Sequence, residues 1–352
     1  MDIRALIKPL SAFAAACFLL GAISIFADRP VNAVSKSEIL LPDLARQIEA
    51  AQALEIVHGR GMSGADKLSF KRTPEGWVMR ERDNYPARQE LVNETLLALG
   101  SLQTGAARTA QPKWHRALGL VPPEEFGKAI RFRVRDEDDA LLADIMLGKE
   151  EASEIAAVQQ TKQLGTVERN FYVRRTDSAQ TWLARGRLPR NAQIGAWLDP
   201  AFPSLPQELL VSVSTGNDAA DEGASPDLLR RMPDDIWDQA WGERWLESFS
   251  RLQPEDVSRD TEINFETAST LHLNYKNGVN VRLEIVDAGP VLWIRSRASV
   301  STAALNAPQN DVSLEEAAAS VDELNRRFSG WALRLPASAA AQLLVSATDF
   351  EG

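Results

Sequence analysis

Apolar and polar side chains alternate with a period of two around Leu54–His58 and again over Lys67–Arg72, where Leu68 and Phe70 are separated by polar neighbours. That pattern predicts two half-buried strands, and Gly76-Trp77-Val78 opens a third. The period then changes. From Ala87 to Leu102 the residues Leu91, Val92, Leu96, Leu99 and Leu102 recur at helical spacing, which predicts one helix with a buried stripe laid on the meander. A short helix within Leu41–Ala53 precedes these elements, and further strands are predicted at Ala129–Arg135, Ala140–Leu147, Phe171–Val173 and Glu208–Val213. The second half reads as a helix over Asp234–Leu252, then strands at Thr270–Tyr275, Val279–Val286 and Val291–Ser296, with Asn277-Gly278 a hairpin signal. Ser313 and Glu316 form a capping-box pattern for a helix to Phe328, followed by a strand at Trp331–Leu335 and a last short helix. The expected class is α+β: antiparallel strand meanders packed with helices, in two loosely similar modules, 41–213 and 226–352. The boundary between them falls in the Gly-, Ala- and Asp-rich stretch Thr215–Ser225, and the polar stretch Lys149–Gly165 reads as a mobile, exposed loop or helix.

Ahead of this lies a segment of another kind. Residues 1–9 carry Arg4 and Lys8, Leu10–Ala27 is an uninterrupted run of apolar and small residues, and Asp28, Arg29 and Pro30 stop it. Such a run rises roughly 27 Å as a helix, close to the hydrocarbon thickness of about 30 Å. Cations ahead of it place the short tail in the cytoplasm and everything after Asp28 outside. The reading is a retained single-pass anchor in a bacterial inner membrane, with the bulk of the chain in the periplasm. A cleaved signal peptide is the competing reading, with Ala27 or Ala33 as the small residue at the cut. The single cysteine, Cys17, sits within the apolar run, where Phe18, Leu19 and Leu20 continue it and argue against a lipoprotein. The folded part therefore has no disulfide within the chain and is held by packing.

Composition narrows the partners. Among 352 residues there are 39 Lys+Arg against 49 Asp+Glu, a net charge of -10, with no basic run; this points away from nucleic acid. Several motifs invite chemistry and each has a plainer reading. Gly59-Arg60-Gly61-Met62-Ser63-Gly64 fits G-x-G-x-x-G, yet Lys67–Arg72 after it alternates as a strand where dinucleotide binding needs a helix, so the segment reads as a hairpin loop. Asp136–Asp139 lacks the glycine and distant glutamate of a calcium loop and reads as a solvated turn. His58, His115 and His272 are widely spaced, with no helical i+3 or i+4 companion ligand. No nucleophile elbow, phosphate loop or zinc-protease motif is present, so no catalytic, metal or cofactor residue is assigned and the chain reads away from an enzyme. Trp237, Trp241, Trp245 and Phe249 recur every four residues along the predicted Asp234–Leu252 helix; the stripe is either core packing or a face for a partner or membrane interface.

Leu41-Pro42-Asp43-Leu44, Gly76-Trp77, Tyr85-Pro86, Leu118-Gly119-Leu120 with Pro122, Leu147-Gly148, Tyr172-Val173-Arg174, Trp182-Leu183 and Trp197-Leu198-Asp199 occur in this order over Leu41–Val213, with Gly330-Trp331 near the end. In these marks the chain resembles the bacterial domain-of-unknown-function 4340 family, apart from the longer Lys149–Gly165 link. The resemblance implies a single-anchored extracytoplasmic protein associated with ABC-type transport systems, including ones resembling gliding-motility auxiliary components, and it carries over no catalytic residues. Two function classes follow. One is a membrane-anchored accessory or scaffold that contacts an ABC permease or another envelope protein. The other is a periplasmic ligand-binding module or hydrolase acting on an envelope glycan or peptide, for which Trp182, Trp197 or the Trp237 stripe would line an open cleft with convergent carboxylates.

Overall fold

The computed structural model describes residues 38–151, 169–215, 253–287, 291–301 and 312–336. The Leu10–Ala27 run, the Asp234–Leu252 helix with its aromatic stripe, most of Lys149–Gly165 and the last short helix lie outside the described residues. No helix among the described residues is long and apolar enough to cross a membrane.

The first sheet is built from β1 (Ala53–Gly59), β2 (Ala65–Thr73), β3 (Gly76–Met79), β4 (Tyr85–Pro86), β5 (Gln103–Ala107), β6 (Ile130–Arg135), β7 (Leu141–Glu150), β8 (Arg169–Arg175) and β9 (Thr181–Gly186). Its order is β4-β3-β2-β1-β6-β7-β8-β9-β5, every pair antiparallel. Strict alternation explains the central strands. Leu54 and Ile56 pair with Phe70 and Leu68 on one side and with Val134 and Phe132 on the other, so this face is apolar along the middle of the strands. The helix α2 (Gln89–Gly100) buries Val92, Leu96 and Leu99 in the same core. It carries the chain from β4 at one edge to β5 at the other.

The opposite face of this sheet is closed by charge. Lys67 and Arg133 pair with Glu55 at 2.6 and 2.7 Å, Arg131 and Arg133 both reach Glu124, and Arg131 grips Asp144 through Nε and Nη2 at 2.8 and 2.6 Å. Cross-strand register makes this ladder: Glu55 faces Arg133, and Arg133 faces Asp144. Leu118, Leu120, Ala129, Met146 and Tyr172 form a small satellite cluster, with Leu118 closing the short helix α3 (His115–Leu118).

The second sheet has the order β10-β12-β13-β14-β15-β11, from β10 (Leu210–Thr215), β11 (Asp256–Arg259), β12 (Ser269–Tyr275), β13 (Val279–Asp287), β14 (Val291–Val300) and β15 (Trp331–Pro336). The turn after β12 uses Gly278 at φ +77°, a left-handed position that glycine takes without strain, while Asn277 Oδ1 accepts the Val279 N–H at 3.3 Å. Helix α4 (Leu314–Phe328) starts at the expected capping box: Ser313 Oγ accepts from Glu316 N, and the Glu316 carboxylate accepts from Ser313 N. Its Ala317, Leu324 and Phe328 join the core, and Asn325 ties it to the Ala298 backbone in both directions. One apolar core runs through both sheets, with Trp197, Leu198 and Phe202 of the connection between them inside it.

The alternating strands and the two long described helices match the sequence expectation, and the observed class is the expected α+β with antiparallel pairing and a strong β bias. Four strands carry no such signal and went unpredicted: β4, β5, β9 and β11. The expected Leu41–Ala53 helix is shorter, with α1 at Pro42–Arg46 and one 3-10 turn at Ile48–Ala50.

Candidate binding cleft between the two sheets

Among the described residues, those singled out by the sequence do not converge. His58 is buried on β1; the His115 Nε2 lies 3.0 Å from the Ala179 carbonyl oxygen; and His272 Nδ1 lies 3.2 Å from Asn280 Oδ1 on the other sheet. Asp136–Asp139 is a self-satisfied turn, in which Asp136 Oδ1 accepts the N–H groups of Asp138 and Ala140. Gly59–Gly64 is a hairpin loop with one 3-10 turn leading directly into β2. Among the described residues no group of three or more His, Cys, Asp or Glu is placed to hold a metal. Trp197 is fully buried with its ring 5.1 Å from that of Phe70, and Trp182 is half-buried against the same core.

What the fold does build is a junction. Arg82, on the 3-10 turn after β3, makes a two-point hydrogen bond to Asp256 at the start of the edge strand β11; its Nη2 donates to Oδ2 at 3.0 Å. That bond holds Arg82 still further above its ordinary range, against the opposing effect of burial. Nearby, Tyr85 meets Trp331 edge to face at 5.0 Å and Arg259 stacks 3.6 Å over the Trp331 ring. Arg327 of α4 reaches Asp199 at 2.6 Å from the other side. The Asp256 carboxylate also accepts the Val257 N–H, which blunts the free edge of β11. We expect Asp256→Ala to cost about 2 kcal/mol, since it strips Arg82 and Arg334 of a shared counter-charge at a mostly buried point. Urea unfolding of the variant measures this, and a loss near zero would show that the clasp holds nothing.

Beside the clasp opens a cleft of about 580 Å³, within the range of small-ligand sites. Asp66 of β2 and the loop Asn191–Ala196 form one wall; Gln253–Asp256 and Arg334 of β15 form the other. The loop is pressed tightly into place. A Cβ on Gly195 would lie 2.5 Å from the Pro254 carbonyl oxygen, so only glycine permits that approach. Asn191 shapes the loop by accepting the Gln193 N–H on its side chain and the Trp197 indole N–H on its carbonyl. Asp66 has Arg60 at 3.3 Å, whereas Arg334 lies 3.9 Å from Glu255 and 3.8 Å from Asp256, beyond hydrogen-bond reach. Nothing local in the sequence marks these residues: Arg82 and Asp256 are 174 positions apart, and only the three-dimensional pairing joins them.

His58 sits directly across the β1–β2 pair from Asp66, with Nε2 buried and unpartnered. Burial holds its imidazole below the ordinary histidine value; Asp66 opposes this and Arg190 reinforces it. The folded chain thus disfavours the proton. Stability is full above about pH 6.5, falls as pH drops through that value, and levels off below the depressed native value. The urea midpoint of the native chain should therefore drop between about pH 7.5 and pH 5.5, and His58→Gln should remove most of that drop. An unchanged slope in the variant would assign it elsewhere.

The fold and its cleft define a class, a β-rich α+β protein in which two antiparallel sheets share one core and leave a charged, solvent-open cleft at their junction. No curated protein and no solved structure matches the chain. The family model described as a domain of unknown function, DUF4340, matches residues 77–271, more than half of the chain, and the chain belongs to that family. The match takes in Arg82, the Asn191–Ala196 loop and Gln253–Asp256, and leaves Asp66 and Arg334 outside.

Proposed function

We propose that this chain is a non-catalytic accessory or scaffold of the bacterial envelope, held by Leu10–Ala27 in the inner membrane with its bulk in the periplasm, and serving an ABC-type transport system. The observation that carries this is the N-terminal order of cations, apolar run and polar stop, followed by a chain with no catalytic motif. The family resemblance, which implies an association with such transporters, supports the reading. In this reading the two loosely similar modules follow a single transmembrane helix, and the Trp237, Trp241, Trp245 and Phe249 stripe is the surface offered to a permease or another envelope protein. Resistance of the chain to carbonate extraction, with the C-terminus digestible by protease added to spheroplasts, is the expected result. Release into the carbonate wash would remove the anchor and the scaffold with it.

The cleft favours a second reading, a periplasmic ligand-binding module or a hydrolase acting on an envelope peptide or glycan. Its walls hold carboxylates and amides but no aromatic platform among the described residues, which weights the ligand toward a peptide.

A further inference from the structure

Arg334 is the least satisfied group in the cleft. Its Nε is buried without a partner, its side chain is 33% exposed, and neither nearby carboxylate is within hydrogen-bond distance. An arginine offers five donors in a rigid fork, and such a group lining an open cleft is a ready receptor for a planar carboxylate. The charges around it limit what that carboxylate can belong to. Asp66, Glu255 and Asp256 line the cleft together with the Arg334 guanidinium, while Arg60 and Arg82 pair with Asp66 and Asp256 from outside the lining, so the site presents both signs. A simple anion would meet three carboxylates, and a simple cation would meet the open guanidinium. A dipolar ligand meets neither difficulty.

We propose that the cleft binds a zwitterionic amino acid or short peptide, its carboxylate on the Arg334 guanidinium and its ammonium group toward Asp66 and Glu255, with the Gln193 and Gln253 amides facing the ligand between them. Such a ligand touches both walls, which belong to different sheets, and so tightens the junction that the Arg82–Asp256 clasp already holds. The inference deepens the peptide-binding reading and stands on the cleft alone. A chain that binds the ligand but is released by carbonate would overturn the anchor and leave this site intact.

The test uses the full-length chain in detergent or nanodiscs and alanyl-alanine as the probe, followed by calorimetric titration and by the shift in thermal unfolding midpoint. We expect saturable binding that raises the midpoint. N-acetylation or C-amidation of the dipeptide, each removing one charge-assisted contact, should weaken binding roughly ten- to hundredfold. Arg334→Gln should abolish binding with the far-ultraviolet spectrum unchanged, and Asp66→Asn should weaken it. If Arg334→Gln does not fold, Arg334→Lys keeps the charge and loses the fork, and should still weaken binding. No saturable binding, equal binding of the doubly blocked dipeptide, or acetate alone producing the full shift would each overturn the proposal.

Discussion

Trp197→Ala is expected to destabilise the protein by about 4 kcal/mol, the largest loss from any single substitution in the described core. Trp197 is fully buried, its ring lies 5.1 Å from Phe70, and its indole N–H donates to the Asn191 carbonyl at 3.0 Å. Truncation leaves a large cavity where the inter-sheet connection enters the common core, and it frees the loop that forms one wall of the cleft. Trp197→Phe separates the two effects. It keeps most of the packing and loses the hydrogen bond, so about 1 kcal/mol is expected. Urea unfolding followed by circular dichroism reads both, and a loss below about 1 kcal/mol for the alanine variant would show that the site collapses or is less filled than the contacts indicate.

Asp144→Ala should cost about 3 kcal/mol, for electrostatic reasons. Asp144 is 9% exposed and takes two hydrogen bonds from Arg131, with Arg133 at 3.7 Å. Its bond to Arg131 raises that guanidinium above its ordinary range, with burial opposing and Glu124 adding to the rise. Removing the carboxylate leaves the mostly buried Arg131 with Glu124, whose side chain is 48% exposed and compensates less, while Arg133 keeps Glu55 at 2.7 Å. Because the cost comes from Arg131 losing its closest counter-charge, Asp144→Ala combined with Arg131→Met should recover part of it. A double variant no more stable than the single one would place the loss in backbone strain.

The strands that alternate were legible because one face of each meets a filled core: β1, β6 and β12 switch between buried and half-exposed at every residue. The Ser313 and Glu316 cap and the Asn277-Gly278 turn were legible because both are local chemistry. Gln103–Ala107 and Thr181–Gly186 lack that periodicity. They pair with each other across long stretches of chain, from Gln103 to Arg185 at the longest, and only the closing of the sheet makes them strands. The cleft was illegible for the same reason. Asp66 falls just ahead of the predicted Lys67–Arg72 strand and Arg334 inside the predicted Trp331–Leu335 strand, and their meaning comes from the junction that brings them to one space.

An anchored envelope protein that works by contact should be caught with its partner by crosslinking in living cells of the native host, purification through a C-terminal tag and mass spectrometry of what is attached. A reproducible crosslink to an ABC permease or another envelope component in near-stoichiometric yield is expected. Recovery of the chain alone, under conditions that capture known membrane complexes, would contradict it and leave ligand binding in the cleft as the surviving function.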